Sequence, residues 1–140
     1  MKYWICVVNN GRSLESILDE LNSWFCLPKT ANKKDFLLFY LSGKVSKSEN
    51  GICYRSEVVS INSNLDNTKC NAYGYNNLNL FQFSIKSAYK LNSTVKLSQL
   101  KKESLFLNSQ FISRNAQGTC FEINMLQFNK VIELSSNIQN

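Results

Sequence analysis

Two short runs, Tyr3 to Val8 and Phe36 to Leu41, are apolar at every position. An amphipathic helix or a half-exposed strand interleaves polar residues, so unbroken runs rich in β-branched and aromatic side chains read as buried strands. The first is expected to be a central strand. The rest of the chain has to cover both.

Between the two runs, the turn cluster Asn9 to Ser13 leads into a helical pattern at Leu14, Ile17, Leu18 and Leu21, with Ser13 as N-cap. Trp24 and Phe25 follow, then Pro28, and Lys33-Lys34-Asp35 leads into the second run. A turn at Ser42-Gly43 and a polar loop from Lys44 to Asn50 precede Gly51, and the alternating segment Ile52 to Ile61 is a third strand, paired as a hairpin with the second. The segment 62–79 is rich in Asn and reads as a long loop. From Leu80 to Ala88 the alternation is strict, with Phe81, Phe83 and Ile85 on one face of a half-buried strand. Leu97 to Leu100 and Ser104 to Leu107 suggest a helix with a break, residues 119–123 a short strand, and Met125 to Leu134 a C-terminal helix. The expected order is β-α-β-β-β-α-β-α.

At 140 residues, 44% hydrophobic and 19% charged, the chain is expected to fold as a single domain spanning residues 1–140. No apolar run reaches the roughly 18 residues of a membrane span, and the first run is too short for a signal peptide, so a cytoplasmic location is expected. The cysteines Cys6, Cys26, Cys53, Cys70 and Cys120 are odd in number, with no CxxC pair; they read as reduced thiols packed as small hydrophobes.

The absences in the sequence are informative. There is no histidine, which excludes a Ser-His-Asp triad, a Cys-His pair and the usual zinc ligands. The acids do not cluster as a divalent-ion site would need, and no glycine-rich phosphate loop occurs. Neither a metal nor a cofactor is expected, and the chain reads as a binding module rather than an enzyme. Its net charge is +6, with the excess concentrated after residue 60, which favours a polyanionic partner. Several aromatic residues lie beside turn or basic residues: Trp24 and Phe25, Tyr54 next to Arg55, and Tyr73 and Tyr75 in the Asn-rich segment. Exposed rings near cations can stack on unpaired or flipped bases. Trp4, embedded in the first strand, is assigned to the core.

The opening KYWICVV, Trp24 in SWFCLPK, DFLLFYLSG with the glycine-led GICYRSEVVSI, and the closing FISRNAQGTCFEINMLQFNKVIEL together resemble the EVE domain of the PUA-like superfamily, related to YTH domains. The resemblance covers nearly the whole chain except 62–79. It implies an α+β fold, a PUA-like mixed β-barrel of about five or six strands flanked by two or three helices, with a pocket at one mouth. Relatives use that pocket for a modified, typically methylated, base that is flipped or unpaired. The implied partner is DNA or RNA carrying such a base, with a further protein supplying any effector activity. The resemblance makes Trp24 an aromatic pocket wall and Tyr40, Leu41 and Ser42 the floor. Asn115 and Gln117 would read the base edge, and Tyr73 or Tyr75 would add a second wall. Arg114, with Lys33 and Lys34, would hold phosphate. Stacking on an indole, amide contacts to a base edge and bidentate guanidinium–phosphate pairing fit those roles.

Two alternatives stay open. One is a plain PUA-like RNA-binding domain indifferent to modification. The other is an amidohydrolase of the ASCH branch acting on acylated cytidine, whose GxKxxExR signature is absent here; Lys44 and Glu57 are the nearest substitutes, at a different spacing.

Overall fold

The computed structural model describes residues 1–8, 14–42, 50–61, 70, 80–114 and 120–136. Ser13, residues 43–49 and 62–69, Tyr73, Tyr75, Asn115 and Gln117 lie outside the described residues.

The described residues form one seven-stranded sheet. Its strands are β1 (Tyr3–Val8), β2 (Trp24–Pro28), β3 (Phe36–Leu41), β4 (Gly51–Ile61), β5 (Leu80–Ile85), β6 (Tyr89–Val95) and β7 (Cys120–Ile123). The helices are α1 (Leu14–Glu20), α2 (Leu97–Leu100), α3 (Gln110–Ser113) and α4 (Met125–Ser136), with a 3₁₀ turn at Ser104–Phe106. Along the sheet the order is β2-β5-β4-β3-β1-β7, and β6 also pairs with β4. β1 and β3 run parallel, and the other pairings are antiparallel. This is the mixed-sheet α+β architecture expected, with β2 and β6 added.

Both apolar runs are buried because the sheet is covered on both faces. Trp4, Cys6, Val8, Leu37, Phe39 and Leu41 point into an interior core with Phe25, Leu27 and Ile17. Their alternate neighbours Ile5, Val7, Leu38 and Tyr40 pack on the other face against Phe106, Phe111, Phe128 and Val131. A period-two chain sandwiched this way has no position left for a polar side chain. Trp4 is buried, as assigned.

The sheet curls at register shifts, between Phe39 and Tyr40 on β3, and on β4 between Ile52 and Tyr54 and between Val58 and Ser60. Such irregularities bend a strand and increase its twist. β4 pairs with β6 through its first half and with β5 through its second, so β5 and β6 act as one long strand broken at residues 86–88. The curl brings the two sheet edges together, where Cys120 Sγ of β7 donates to the Cys26 carbonyl of β2 at 4.0 Å. The result is a half-barrel.

Gly51 begins β4 at φ +132°, where an added Cβ would lie 2.7 Å from both Thr94 Cγ2 and the Val95 carbonyl oxygen. Only glycine fits that approach without strain. α4 starts with a reciprocal cap: Gln127 N donates to Asn124 Oδ1 and Asn124 N to Gln127 Oε1, both at 2.8 Å. The Gln127 amide also donates to the Leu105 carbonyl, fastening the helix to the 3₁₀ turn.

The cysteine expectation needs correction. Cys26 and Cys70 form a disulfide, while Cys6, Cys53 and Cys120 remain thiols outside any disulfide. The two partners are 44 residues apart, and only the folded path of β2 makes them neighbours. No helix among the described residues is long and apolar enough to cross a membrane.

Candidate functional site

A chain of contacts gathers one rim of the half-barrel. Because β1 and β3 are parallel, they end side by side, and the Ser42 amide donates to the Val8 carbonyl at 3.2 Å. β7 begins at the same end, with Cys120 directly opposite Cys6. Cys120 in turn touches the Cys26 carbonyl, and Trp24 stands two residues before Cys26 on the same face of β2. Ser42 thus meets β1 at Val8, β1 meets β7 at Cys6 and Cys120, and Cys120 meets β2 at Cys26, two residues from Trp24.

Each floor residue has a distinct environment. Leu41 is fully buried in the interior core. Tyr40 points to the opposite face, where Phe111 meets it edge-on at 5.4 Å. Ser42, just past the strand, is half-buried. Tyr40 and Leu41 thus face opposite sides of the sheet, and Ser42 is the polar residue at the strand's end. Phe111 also packs on Phe121 of β7, which sets α3 over this end of the sheet. Arg114 is the C-cap of α3 and is exposed there.

Trp24 is half-buried and packs with Cys26, Cys70 and Leu80, on the outer face of β2 rather than with the interior residues Phe25 and Leu27. The disulfide therefore secures the surface on which the indole rests. Lys33 and Lys34 lie elsewhere. They precede β3, at the end opposite Ser42, and the six residues of β3 separate the two ends by about 17 Å. Both lysines are exposed, and the Lys34 amide donates to the Val58 carbonyl at 2.8 Å with φ 73°. Ser42, Tyr40, Leu41 and Arg114 lie toward one end of the sheet with Tyr40 and Leu41 on opposite faces, Trp24 lies on the outer face of β2 opposite Ser84, and Lys33 and Lys34 lie at the other end.

Two groups near this end, the Cys6 thiol and the Tyr40 phenol, hold their protons more tightly than usual. Burial pushes the Cys6 thiol well above its ordinary value, reinforced by its hydrogen bond with Cys120. Burial also raises the Tyr40 phenol. Among the described residues of this region, the half-buried Ser42 and Trp24 and the exposed Arg114 are the ones open to a ligand. Among the described residues no cluster of three or more metal-ligating side chains exists. Sequence reasoning missed Cys120 and Cys26 as rim members, since only the β1–β7 register and the curl place them together.

No family model and no curated protein matches the sequence. Solved structures match over nearly the full length. Human THYN1, solved in complex with DNA containing 5-methylcytosine, is 12% identical, with a TM-score of 0.67 over 99% of this chain and 100% of that one. A Pseudomonas syringae protein is 17% identical, with a TM-score of 0.64 over 95% and 99%. The N-terminal domain of Staphylothermus marinus McrB is 11% identical, with a TM-score of 0.59 over 94% and 93%. The near-complete two-way coverage shows that the chain shares the fold of these structures, a mixed-sheet α+β fold as the resemblance implies.

Proposed function

We propose that the chain is a non-catalytic nucleic-acid-binding module whose rim takes a modified, methylated base that is flipped or unpaired. What supports this reading is the path of contacts from Ser42 to Val8 of β1, from Cys6 of β1 to Cys120, and from Cys120 to Cys26 of the strand that carries Trp24, in a fold shared with human THYN1, solved with DNA containing 5-methylcytosine. An indole stacks on any base and gains from contact with an added methyl group. Ser42 supplies a hydroxyl at the floor edge, and Arg114 supplies a guanidinium for phosphate. Asn115 and Gln117 follow Arg114 in the chain and would read the base edge. Tyr73 or Tyr75 would close the second wall.

Equilibrium binding to matched oligonucleotides, with and without cytosine or adenine methylation, tests the assignment. Trp24→Ala is expected to weaken binding of the preferred modified strand by about tenfold or more, the worth of one stacked base, and to erase the preference for it. An intact preference in this variant would remove Trp24 from the pocket.

A further inference from the structure

At the other end of the sheet, on the face that carries α4, four neighbouring strands present a lateral row of side chains. Tyr3 of β1 stacks on Phe36 of β3, with centroids 5.5 Å apart and planes 14° apart. Both are half-buried and rest on the ring of Phe128 from α4, at 5.1 and 5.4 Å. Arg55 of β4 comes next, its guanidinium 5.4 Å from the Phe128 ring and 5.4 Å from the ring of Tyr89 on β6. Tyr89 is the register partner of Arg55 and ends the row with 56% of its surface exposed.

Tyr89 is too exposed to be held by burial. The cation–π contact with Arg55 fixes its ring instead, while more than half of its surface stays in water. Cations surround this end. Lys33 and Lys34 are exposed just before Phe36, and Lys86 and Lys90 are exposed on either side of Tyr89. The nearby acid Glu57 is engaged by Lys86. Across these four strands, about 14 Å at the usual strand spacing, Tyr3, Phe36 and Arg55 are half-buried against Phe128 and form a backing, while Tyr89 keeps most of its surface in water, as does an aromatic ring on which an unpaired base stacks.

We propose that this end of the sheet is a second contact surface, on which Tyr89, braced by Arg55, stacks an unpaired base of the same nucleic acid while Lys33 and Lys34 hold its phosphates. The proposal rests on the nucleic-acid reading above and extends it: the rim selects one base, and the row holds the strand without regard to modification. It also gives the two lysines a role at the end of the sheet where they stand.

Fluorescence anisotropy with unmodified oligothymidylate and oligouridylate about ten nucleotides long, within the site size of such surfaces, tests it. Tyr89→Ala is expected to weaken binding about tenfold, as for loss of one stacked base. Tyr89→Phe keeps the ring and retains wild-type affinity and melting temperature, while Tyr89→Ala lowers the melting temperature only by the few degrees that one cation–π contact is worth. Replacing Lys33 and Lys34 with glutamine reduces the slope of log affinity against log salt by about 1.4, the contribution of two phosphate contacts on a single strand. Equal binding by Tyr89→Ala and wild type overturns the proposal. So does wild-type protein that binds a modified strand but no unmodified single strand, and that outcome leaves the function of the rim standing. If no nucleic acid binds at all, both readings fall.

Discussion

Asp35→Ala is expected to lower the unfolding free energy by about 4 kcal/mol, a large share of the roughly 5–15 kcal/mol that a domain possesses. Asp35 is fully buried, and its carboxylate accepts three hydrogen bonds: from Lys2 N at 2.8 Å, Trp4 Nε1 at 3.0 Å and Asn32 N at 2.8 Å. The three donors come from the start of β1, the centre of the interior core and the turn into β3. Alanine leaves each without a partner in a place water reaches poorly, at about 1–3 kcal/mol apiece. Asp35→Asn offers an instructive comparison. Its remaining oxygen can replace Oδ2 and keep the Trp4 and Asn32 bonds, while its NH2 group faces the Lys2 amide, so an intermediate loss is expected. Urea denaturation gives the size of the effect, and the Trp4 indole N–H resonance reports the lost bond. Unchanged stability in Asp35→Ala would mean that the carboxylate does not organise this corner.

Cys70→Ser is expected to cost a similar amount, about 4 kcal/mol, from the chain entropy released when a loop of 44 residues opens. Wild-type protein treated with a thiol reductant should unfold at the same urea concentration as the variant. Alkylation of unfolded, unreduced protein should label the three thiols outside any disulfide, Cys6, Cys53 and Cys120; prior reduction should raise the number to all five cysteines. Because Trp24 packs against Cys26 and Cys70, the reduced protein should also lose part of its preference for a modified strand. Reductant that changes neither the urea midpoint nor the labelling would rule out the bond.

The strands legible in the sequence were those whose burial leaves a pattern. β1 and β3 are covered on both faces and so read as unbroken apolar runs, and β5 alternates because one face meets the core. β2 and β6 carry weaker signals. β2 is an edge strand of five residues ending in Pro28, whose missing amide hydrogen is tolerated at an edge. β6, YKLNSTV, buries only Leu91 and Val95, and its place depends on α4 lying against it. The family resemblance supplied the fold that local patterns left incomplete.

The candidate site was legible as residue types more than as positions. Tyr40 and Leu41 are adjacent in sequence yet face opposite sides of the sheet, as period two requires. Lys33 and Lys34 lie only a few residues from Ser42, but β3 stands between them at its full length. Arg55 and Tyr54 were noted together as a basic–aromatic pair; the register instead gives Arg55 to Tyr89 and turns Tyr54 toward the interior. Cross-strand partners and a disulfide across 44 residues follow from topology, which local sequence does not encode.

The most direct measurement of the central claim is the ratio of affinities for matched strands that differ by a single methyl group on cytosine or adenine, taken at several salt concentrations. A methyl group enclosed by the rim is worth about 0.8 kcal/mol, or roughly fourfold. At least one modified strand should therefore bind about fourfold tighter or more, and this gap should persist as salt weakens both complexes together. Equal affinities for every modified and unmodified strand, falling in parallel with salt, would contradict the account and leave a plain electrostatic binder.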